Sequence, residues 1–336
     1  MLRSILFLIN IIHTIAVPSI PPPISPNALQ LQTNINTAIS QKATHFTIPP
    51  ANYIFSNLSL TITNAHDLQI NAQDVTFVFF YGYGLYISDS TNLTIQGLTF
   101  DSNPPNYAQG IVTSITSPTV FQATFDSSYI PPNTNLPPFD TAALFKVSFY
   151  NPITKQMLHL TNYLQSSTPT VSSSSLSSSS SSLALQYNYT LKVRHPQKTG
   201  LKIGNLVTVI PRKGITWHCN NCSQVNAKHI TIYAGGNMGF LETGGQGKNR
   251  YTNVTITRKR NTTHLVGLNA DGFHSSDVSI GPVLEDSEIS YTGDDFVNIH
   301  NRMKIICKIL SNTSLAVIDP GNVIIPFKQN SKTSLY

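Results

Sequence analysis

Short segments in which apolar and polar residues alternate recur along this chain at a nearly constant interval. Each segment places two apolar residues at positions i and i+2 with polar residues on the other face, a pattern typical of a half-buried strand. The segments are 59–63, 67–71, 74–78, 92–96, 229–233 and 253–257. Leu68 and Leu93 are 25 positions apart, and Ile230 and Val254 are 24 apart. No convincing helix separates the segments, so the pattern predicts coils of a solenoid rather than βαβ units.

The predicted fold class is therefore all-β, in the form of a right-handed parallel β-helix. A β-sandwich is the alternative, because it too is built from short alternating strands. Residues 29–40 carry Leu31, Ile35 and Ile39 at helical spacing, which predicts a short amphipathic helix. We expect this helix to cap the open end of the stacked strands.

The pattern changes between about residues 114 and 213, which predicts an antiparallel, barrel-like β element inserted between two coils. Strand-like segments lie at 143–149, 187–193 and 205–210, and a serine-rich stretch at 172–182 predicts a disordered loop. The predicted division of the chain is a signal peptide (1–16), coils with a proline-rich leader (17–113), the insert (114–213), further coils (214–306) and the start of another β insert (307–336).

The N-terminus and the composition indicate secretion. Arg3 is followed by a largely apolar stretch from Ile5 to Ile15 and by the small residue Ala16, which is the pattern of a cleaved signal peptide. No later segment is apolar enough to cross a membrane. N-glycosylation sequons stand at Asn57, Asn92, Asn188, Asn221, Asn253, Asn261 and Asn312. Several of these could arise by chance in a chain rich in Asn and Thr.

Charge and cysteine content argue against a nucleic-acid partner and against a zinc site. The net charge is +6, but charged residues make up 11% of the chain and the basic ones are scattered, so no nucleic-acid surface is predicted. Cys219 and Cys222 lack the second pair that a zinc site requires, so no metal is predicted. These two residues form either a small-loop disulfide or part of the stacked interior, and Cys307 has no obvious partner.

The informative chemistry lies in two stretches one coil apart. If Ala270 points inward, Asp271 points outward. Strict alternation ahead of Val297 would turn Asp295 inward, where an unpaired carboxylate is costly. Gly293 permits a bend, so we expect the strand to begin after Asp295 and to leave both residues of the 294–295 pair near the surface.

Asp271 and Asp294 are 23 positions apart, close to the coil interval, so one turn stacks Asp271 beside Asp294 and Asp295 on an outer face. Three clustered carboxylates do not all ionise at neutral pH, so at least one is expected to hold a proton. A protonated acid beside an ionised base is what glycoside hydrolysis requires. The alternative is structural, with aspartates that form turns or bind calcium. No cofactor is predicted.

The residues around these aspartates form a recognisable set: NADGFH at 269–274, GP at 281–282, ED at 285–286, GDDFVNIH at 293–300, and Arg302. They resemble the active-site coils of the pectin-lyase-like superfamily. Within it the set is most similar to glycoside hydrolase family 110, the α-1,3-galactosidases, which share the DDxxNxH run and a barrel-like insert. The family 28 polygalacturonases are a looser match. The resemblance covers roughly residues 217–302 and is only architectural elsewhere.

The resemblance to family 110 implies an inverting exo-hydrolase that removes terminal α-linked galactose. By position, Asp271 resembles the general acid, and Asp294 with Asp295 the base pair that activates water. In the polygalacturonase scheme the first aspartate of the pair is the acid instead. An inverting pair stands ~6.5–9.5 Å apart. Candidates for binding substrate hydroxyls are His274, Asn298, His300 and Arg302, the histidines being alternatively hydrogen-bonded surface residues.

The chain departs from both families. The Gly-His-Gly and Arg-x-Lys signatures of polygalacturonases are absent after Asp295, and family 110 chains continue for several coils beyond the point that corresponds to Tyr336. We therefore expect either an incomplete or a divergent, inactive relative. The rival predictions are a pectin hydrolase or lyase on the same scaffold, and a non-catalytic glycan-binding protein.

Overall fold

The molecule is built almost wholly from β-strands, which confirms the all-β class. The computed structural model describes residues 25–56, 58–80, 84–126, 128–130, 132, 145–158, 162–164, 170–179, 182–194, 200–301, 305–311, 314–319 and 323–328. The predicted signal peptide, residues 17–24 of the leader, Arg302 and the sequons at Asn57 and Asn312 lie outside the described residues.

The regular elements fall into four stretches of the chain. The first contains α1 (Pro26–Ser40), β1 (His45–Thr47), β2 (Asn52–Ser56), β3 (Leu60–Thr63), β4 (Gln69–Phe80), β5 (Leu85–Ser88) and β6 (Thr94–Asp101). The second contains β7 (Ala108–Ser117), β8 (Val120–Asp126), β9 (Phe145–Tyr150), β10 (Asn162–Tyr163), β11 (Thr170–Ser179), β12 (Ser182–Lys192) and β13 (Leu206–Pro211). The third contains β14 (Trp217–Asn220), β15 (Asn226–Lys228), β16 (Thr231–Ile232), β17 (Phe240–Thr243), β18 (Arg250–Thr252), β19 (Thr255–Ile256), β20 (Phe273–Ser276), β21 (Val283–Glu285), β22 (Glu288–Ile289) and β23 (Val297–His300). The fourth contains β24 (Ile305–Ser311), β25 (Ser314–Asp319) and β26 (Val323–Lys328), which form an antiparallel sheet of their own.

The strands of the first and third stretches pair in parallel and form three columns. One column is a six-stranded sheet in the order β23-β20-β17-β14-β5-β3. The other two columns belong to a ten-stranded sheet, because β4 pairs with β1 and then β2, and β6 pairs with β15 and then β16. From β14 onward the chain visits the six-stranded sheet and then the two other columns, always in that order. All six predicted strand segments contribute to this arrangement, and its parallel pairing does not fit the β-sandwich alternative.

Residues with positive φ mark the corners between columns. Asn64, Asp89, Asn221 and Asp277 follow strands of the six-stranded sheet and have φ values of 58°, 50°, 52° and 57°. Asn and Asp adopt this left-handed conformation more readily than other non-glycine residues. The Asn221 side-chain amide also donates to the Asp89 carboxylate of the neighbouring repeat at 2.7 Å. The corners therefore recur once in each repeat and stack on one another.

A hydrophobic core fills the space between the six-stranded and ten-stranded sheets. Trp217, Phe240 and Phe273 stand in successive strands of the six-stranded sheet and are fully buried. Their ring centroids are 5.6 Å apart between the first two and 6.1 Å between the last two. Tyr251 reaches them from the ten-stranded sheet, with its ring 4.8 Å from that of Phe273. Aromatic rings thus stack along the interior and hold the two sheets together.

Helix α1 covers the edge strand β3, as predicted. Ser25 caps its first turn by accepting a hydrogen bond from Ala28, and Leu31 and Ile35 are buried. The Gln32 side chain donates to the carbonyl oxygen of Thr61 and accepts from its N–H, both at 2.8 Å. The outer edge of β3 is therefore supplied with hydrogen-bond partners.

The second stretch forms a seven-stranded antiparallel sheet, the insert, in the order β10-β9-β13-β7-β8-β12-β11. It has a separate core. Strands β9, β12 and β13 lie at the three segments predicted from the sequence. The antiparallel pairing of the insert is as predicted, and among the described residues its strand order has two ends, β10 and β11.

The prediction of a disordered loop at 172–182 is wrong for most of this segment. Strand β11 pairs antiparallel with β12 from Thr170↔Thr190 to Ser179↔Ser182. The other side of β12 pairs with β8. Backbone hydrogen bonding to an established strand does not depend on the side chains, so serine residues of low strand preference are held in the sheet by their neighbour.

Candidate functional site

The three predicted aspartates lie together at one end of the six-stranded sheet. Asp271 precedes β20 by two residues, and Asp294 and Asp295 precede the neighbouring strand β23. The N–H of Gly272 donates to the carbonyl oxygen of Asp295 at 2.9 Å, which sets the two chain segments side by side. One carboxylate oxygen from each aspartate lies within 4.8 Å of the other two. The predicted stacking of Asp271 beside the pair is thus present.

The three carboxylates differ in exposure. Asp294 and Asp295 are exposed, and β23 begins at Val297, so the expected bend before this strand is confirmed. Gly293 is required there because a Cβ atom would lie 2.4 Å from the backbone oxygen of Asn269. Asp271 was expected to face solvent, and this is wrong: it is 5% exposed. Alternation places its side chain outside the hydrophobic core, but neighbouring polar side chains cover it.

Those neighbours are a histidine and an asparagine from β20 and β23. His274 places Nδ1 2.7 Å from Asp271 Oδ2, and Asn298 donates to the same oxygen at 3.4 Å. Asn298 also donates to Asp295 Oδ2 at 3.4 Å. The predicted residues His274 and Asn298 therefore contact the carboxylates directly. Asn298 bridges the buried aspartate and an exposed one.

His300 extends the same chain of contacts. Its Nε2 atom lies 2.9 Å from Nε2 of His274, and the two rings meet edge to face at 85°. At this distance one of the two nitrogens carries a proton and donates a hydrogen bond, and the other nitrogen accepts that bond. A continuous line of hydrogen bonds therefore connects exposed His300 with buried Asp271. Arg302, the fourth predicted substrate-binding residue, lies outside the described residues.

The insert contributes two cations to the cluster. Arg212, directly after β13, forms a hydrogen-bonded ion pair with Asp294 Oδ2. Lys146 of β9 places Nζ 3.7 Å from Asp294 Oδ1 and donates to the backbone oxygen of Gly293. These positive charges compensate the negative charge of Asp294.

Lys146 is itself an unusual group. It is 8% exposed, and this burial lowers the pKa of its ammonium group; the charge of Asp294 opposes the effect and that of Arg212 adds to it. A buried lysine with a lowered pKa beside carboxylates is a candidate for a catalytic role as well as for charge balance. Neither Lys146 nor Arg212 was predicted from the sequence, because nothing near Lys146 indicates that it lies beside a residue 148 positions further along.

Asn269 fixes the insert to the segment that carries Asp271. Its side chain is fully buried and donates to the carbonyl oxygens of Asn106 and Pro211 at 2.7 and 2.9 Å. Asn106 precedes the first strand of the insert and Pro211 ends the last one. Both chain connections to the insert therefore meet at one side chain, two residues before Asp271.

The remaining predicted sites lie away from the cluster. Cys219 and Cys222 are buried free thiols in the hydrophobic core, which agrees with the stacked-interior alternative. The described sequons at Asn92, Asn221, Asn253 and Asn261 are exposed, and Asn188 is half-buried. Three of the exposed ones hydrogen-bond through their amides to the neighbouring repeat: Asn92 to Asp67, Asn221 to Asp89 and Asn253 to His229.

Comparison with known proteins gives no family model and no curated protein that matches this chain. Within the described part of the chain no helix combines the length and apolar character needed to span a bilayer. The cluster itself combines one buried carboxylate, two exposed ones, two cations and a histidine pair.

Proposed function

We propose that this protein is a secreted glycoside hydrolase on a right-handed parallel β-helix, with Asp271, Asp294 and Asp295 as its catalytic carboxylates. The observation that carries the proposal is the cluster itself, in which one oxygen from each of the three lies within 4.8 Å of the others. The three columns, visited in a fixed order and joined at stacked corners, support the β-helix. The resemblance to family 110 supplies the substrate class, terminal α-linked galactose.

The environments of the carboxylates suggest a division of roles. Asp271 is buried and hydrogen-bonded to His274, the surroundings suited to an acid that delivers a proton to the leaving oxygen. Asp295 is exposed and contacts Asn298, so it is free to accept a proton from water. Asp294 is held between Arg212 and Lys146 and contributes a fixed negative charge beside the reacting sugar. Such a charge stabilises a developing oxocarbenium ion.

The spacing bears on the stereochemistry. Inverting enzymes keep their carboxyl groups ~6.5–9.5 Å apart to leave room for water. The nearest oxygens in this cluster are within 4.8 Å of one another, so inversion requires water held to one side of the pair rather than between the groups. Proton NMR of the first product decides the question. Inversion of an α-galactoside releases β-galactose first, whereas retention releases α-galactose.

The decisive assay offers galactose-terminated glycans to the secreted protein. Replacing Asp271, Asp294 or Asp295 by Asn should in each case lower kcat by at least about 100-fold, because a positioned acid, a positioned base and a fixed charge at the reacting centre each contribute on that scale. Asp286→Asn is the matched control, since Asp286 has φ 49° at a corner that Asn also tolerates. Unchanged turnover in Asp294→Asn and Asp295→Asn would remove the hydrolase proposal. Sugar binding without turnover by the unmodified protein would select the non-catalytic alternative.

Lys146 favours a second candidate, eliminative cleavage of a polyuronate. A lyase needs a base to remove the proton next to the uronate carboxyl group, and an amine with a lowered pKa is suited to this step. Arg212 would stabilise the carboxylate of the substrate if it released Asp294. Products of elimination contain a double bond and absorb ultraviolet light. Such products from polyuronate, together with no release of galactose, would replace the first proposal with this one.

Secretion and glycosylation are part of the same proposal. Mass spectrometry of the protein from a eukaryotic host should give a mature chain without residues 1–16 and should map the glycans. The amides of Asn92, Asn221 and Asn253 hold structural hydrogen bonds, whereas Asn261 is exposed in a loop. We expect Asn261 to be the most fully occupied of these four sites. A chain that retains its N-terminus and carries no glycan would contradict the proposed localisation.

A further inference from the structure

The hydrogen bonds at the cluster form a line that leads from solvent to a buried carboxylate. Asp271 Oδ2 lies 2.7 Å from His274 Nδ1, and His274 Nε2 lies 2.9 Å from His300 Nε2. The side chain of Asp271 is 7% exposed and that of His274 13% exposed, while His300 is exposed. Exposure therefore rises at each step away from the acid.

The rise in exposure from Asp271 to His300 suits a requirement of the proposed reaction. An acid that gives its proton to a leaving group must recover one before the next turnover. Bound sugar would cover the few exposed atoms of Asp271, so direct exchange with water is restricted. The two imidazoles offer a path with a hydrogen-bond partner at each atom, and imidazole can accept at one nitrogen while it donates at the other.

We propose that His300 and His274 are a proton relay that recharges Asp271, a role that rests on the proposed hydrolase function. In one recharge the His274 Nδ1–H bond breaks and the proton binds Asp271 Oδ2. His274 Nε2 takes the proton of His300 Nε2, and Nδ1 of the exposed His300 ring takes one from hydronium. One proton enters from solvent and one arrives on Asp271. His274 ends with its proton on Nε2 and His300 with its proton on Nδ1, and both rings regain the first tautomer by proton exchange with solvent.

The relay differs from the role of binding a substrate hydroxyl, which the sequence suggested for both histidines. Three of the four ring nitrogens are engaged in this line: His274 uses both of its own, and His300 uses Nε2. The charged groups near the line are Asp271 itself, Asp295 through Asn298, and Asp294 with its partners Lys146 and Arg212. Asp277 follows β20 and accepts a hydrogen bond from Ser276.

Kinetics of His300→Ala test the relay. We expect kcat to fall about 10- to 100-fold, at the lower end of what proton transfer by a side chain contributes, with KM unchanged. Added imidazole should restore a substantial part of kcat, because a free imidazole can occupy the space of the lost ring. The matched control is His66→Ala, since His66 also bonds across neighbouring repeats, with Thr91 at 2.7 Å, but far along the chain from the aspartates. A rise in KM at constant kcat, or no rescue, would overturn the relay.

A measurement on the unmodified protein separates this inference from the proposed function. Nitrogen-15 NMR of the histidines should show scalar coupling between the two Nε2 atoms across their hydrogen bond. Absence of the coupling overturns the relay whatever the enzyme does. If the coupling is present and no sugar is hydrolysed, the hydrogen-bonded line stands and the hydrolase function fails.

Discussion

A buried carboxylate that takes no part in the proposed chemistry is found inside the molecule. Glu242 of β17 is 1% exposed and accepts hydrogen bonds from Asn249, Tyr251 and Ser275 at 2.7, 2.9 and 3.0 Å. Burial raises the pKa of Glu242, although the three donors act in the opposite direction. The folded protein therefore binds this proton more tightly than the unfolded chain does.

This shift predicts a pH dependence of stability. The stabilising effect of the Glu242 proton is fully present below the ordinary pKa of 4.5 and is lost as pH rises through the raised value. Each pH unit between the two pKa values costs about 1.4 kcal/mol of unfolding free energy. Glu242→Gln keeps the shape of the side chain without a titratable group. The unfolding free energy of this variant should therefore fall less as pH rises between the two pKa values.

Urea unfolding of the two proteins from about pH 4 to about pH 7 measures the difference, because the other carboxylates contribute equally to both. Glu288→Gln, at an exposed position bonded to Ser290, should follow the unmodified protein. Parallel curves for the unmodified protein and Glu242→Gln would show that burial does not shift this group.

Lys146 allows a second prediction at the scale of one residue. Lys146→Met preserves much of the buried stem and removes the positive charge from Asp294 and the hydrogen bond to Gly293. We expect kcat for galactoside hydrolysis to fall about 10- to 100-fold, because the carboxylate beside the reacting sugar loses a fixed charge partner. Lys192→Met, at an exposed position of the insert, should leave kcat unchanged.

The same variant separates the two candidate reactions. Elimination, which would use Lys146 as the base, should disappear altogether in Lys146→Met. A hydrolase should retain measurable activity. An unchanged kcat would exclude Lys146 from both reactions.

The aspartate cluster was predictable at the residue scale because its members lie one repeat apart and a repeat returns to the same place. The 23 positions between Asp271 and Asp294 match the interval of the strands around them. Lys146 and Arg212 obey no such interval, since they belong to the insert. The burial of Asp271 was also missed, because alternation states on which side of the sheet a residue lies and not what covers it.

At the scale of elements, the site depends on how the insert is fixed to the parallel strands. The Asn269 side chain bonds to the backbone on both sides of the insert. Asn269→Ala leaves the carbonyl oxygens of Asn106 and Pro211 buried without this donor. The cost of unsatisfied buried acceptors predicts a loss of about 2–4 kcal/mol of unfolding free energy.

Urea denaturation measures this loss, and activity should fall with it because Asp271 is two residues away. Asn226→Ala is the control, since Asn226 bonds locally to Gln224 and its loss should change stability by less than about 0.5 kcal/mol. Equal stability of Asn269→Ala and the unmodified protein would mean that other contacts alone fix the insert.

Elements with a hydrophobic pattern in their own sequence were predicted correctly. Elements that form only by pairing with another strand were not. The helix α1 carries its own signal in Leu31 and Ile35, and the predicted start at residue 29 differs from Pro26 by one turn. The strand β11 carries no signal of its own, since its serine residues become a strand through pairing with β12. The number of strands in the insert and their order could not be read from composition for the same reason.

At the scale of the whole molecule, the strands of the six-stranded sheet differ in how completely neighbouring elements cover them. In the six-stranded sheet β14 lies between two neighbours, and the edge strand β3 is covered by α1. The opposite edge strand, β23, pairs with β20 alone among the described strands. Val297 and Ile299 of β23 are 46% and 58% exposed, although their positions face the interior in other repeats. Stacked repeats are stabilised mainly by their neighbours, so β23 is the weakest member of this sheet.

That weakness falls on the candidate site, because β23 carries Asn298 and His300. We therefore predict that heating abolishes activity at a lower temperature than it unfolds the core. Trp217, the single tryptophan of the chain, is fully buried in β14 and reports on the core through its fluorescence. Hydrogen exchange should agree, with amides of β23 exchanging faster than those of β14 and β3. Coincident loss of activity and of the native Trp217 signal, with equal exchange at both edges, would show that the sheet opens as one unit.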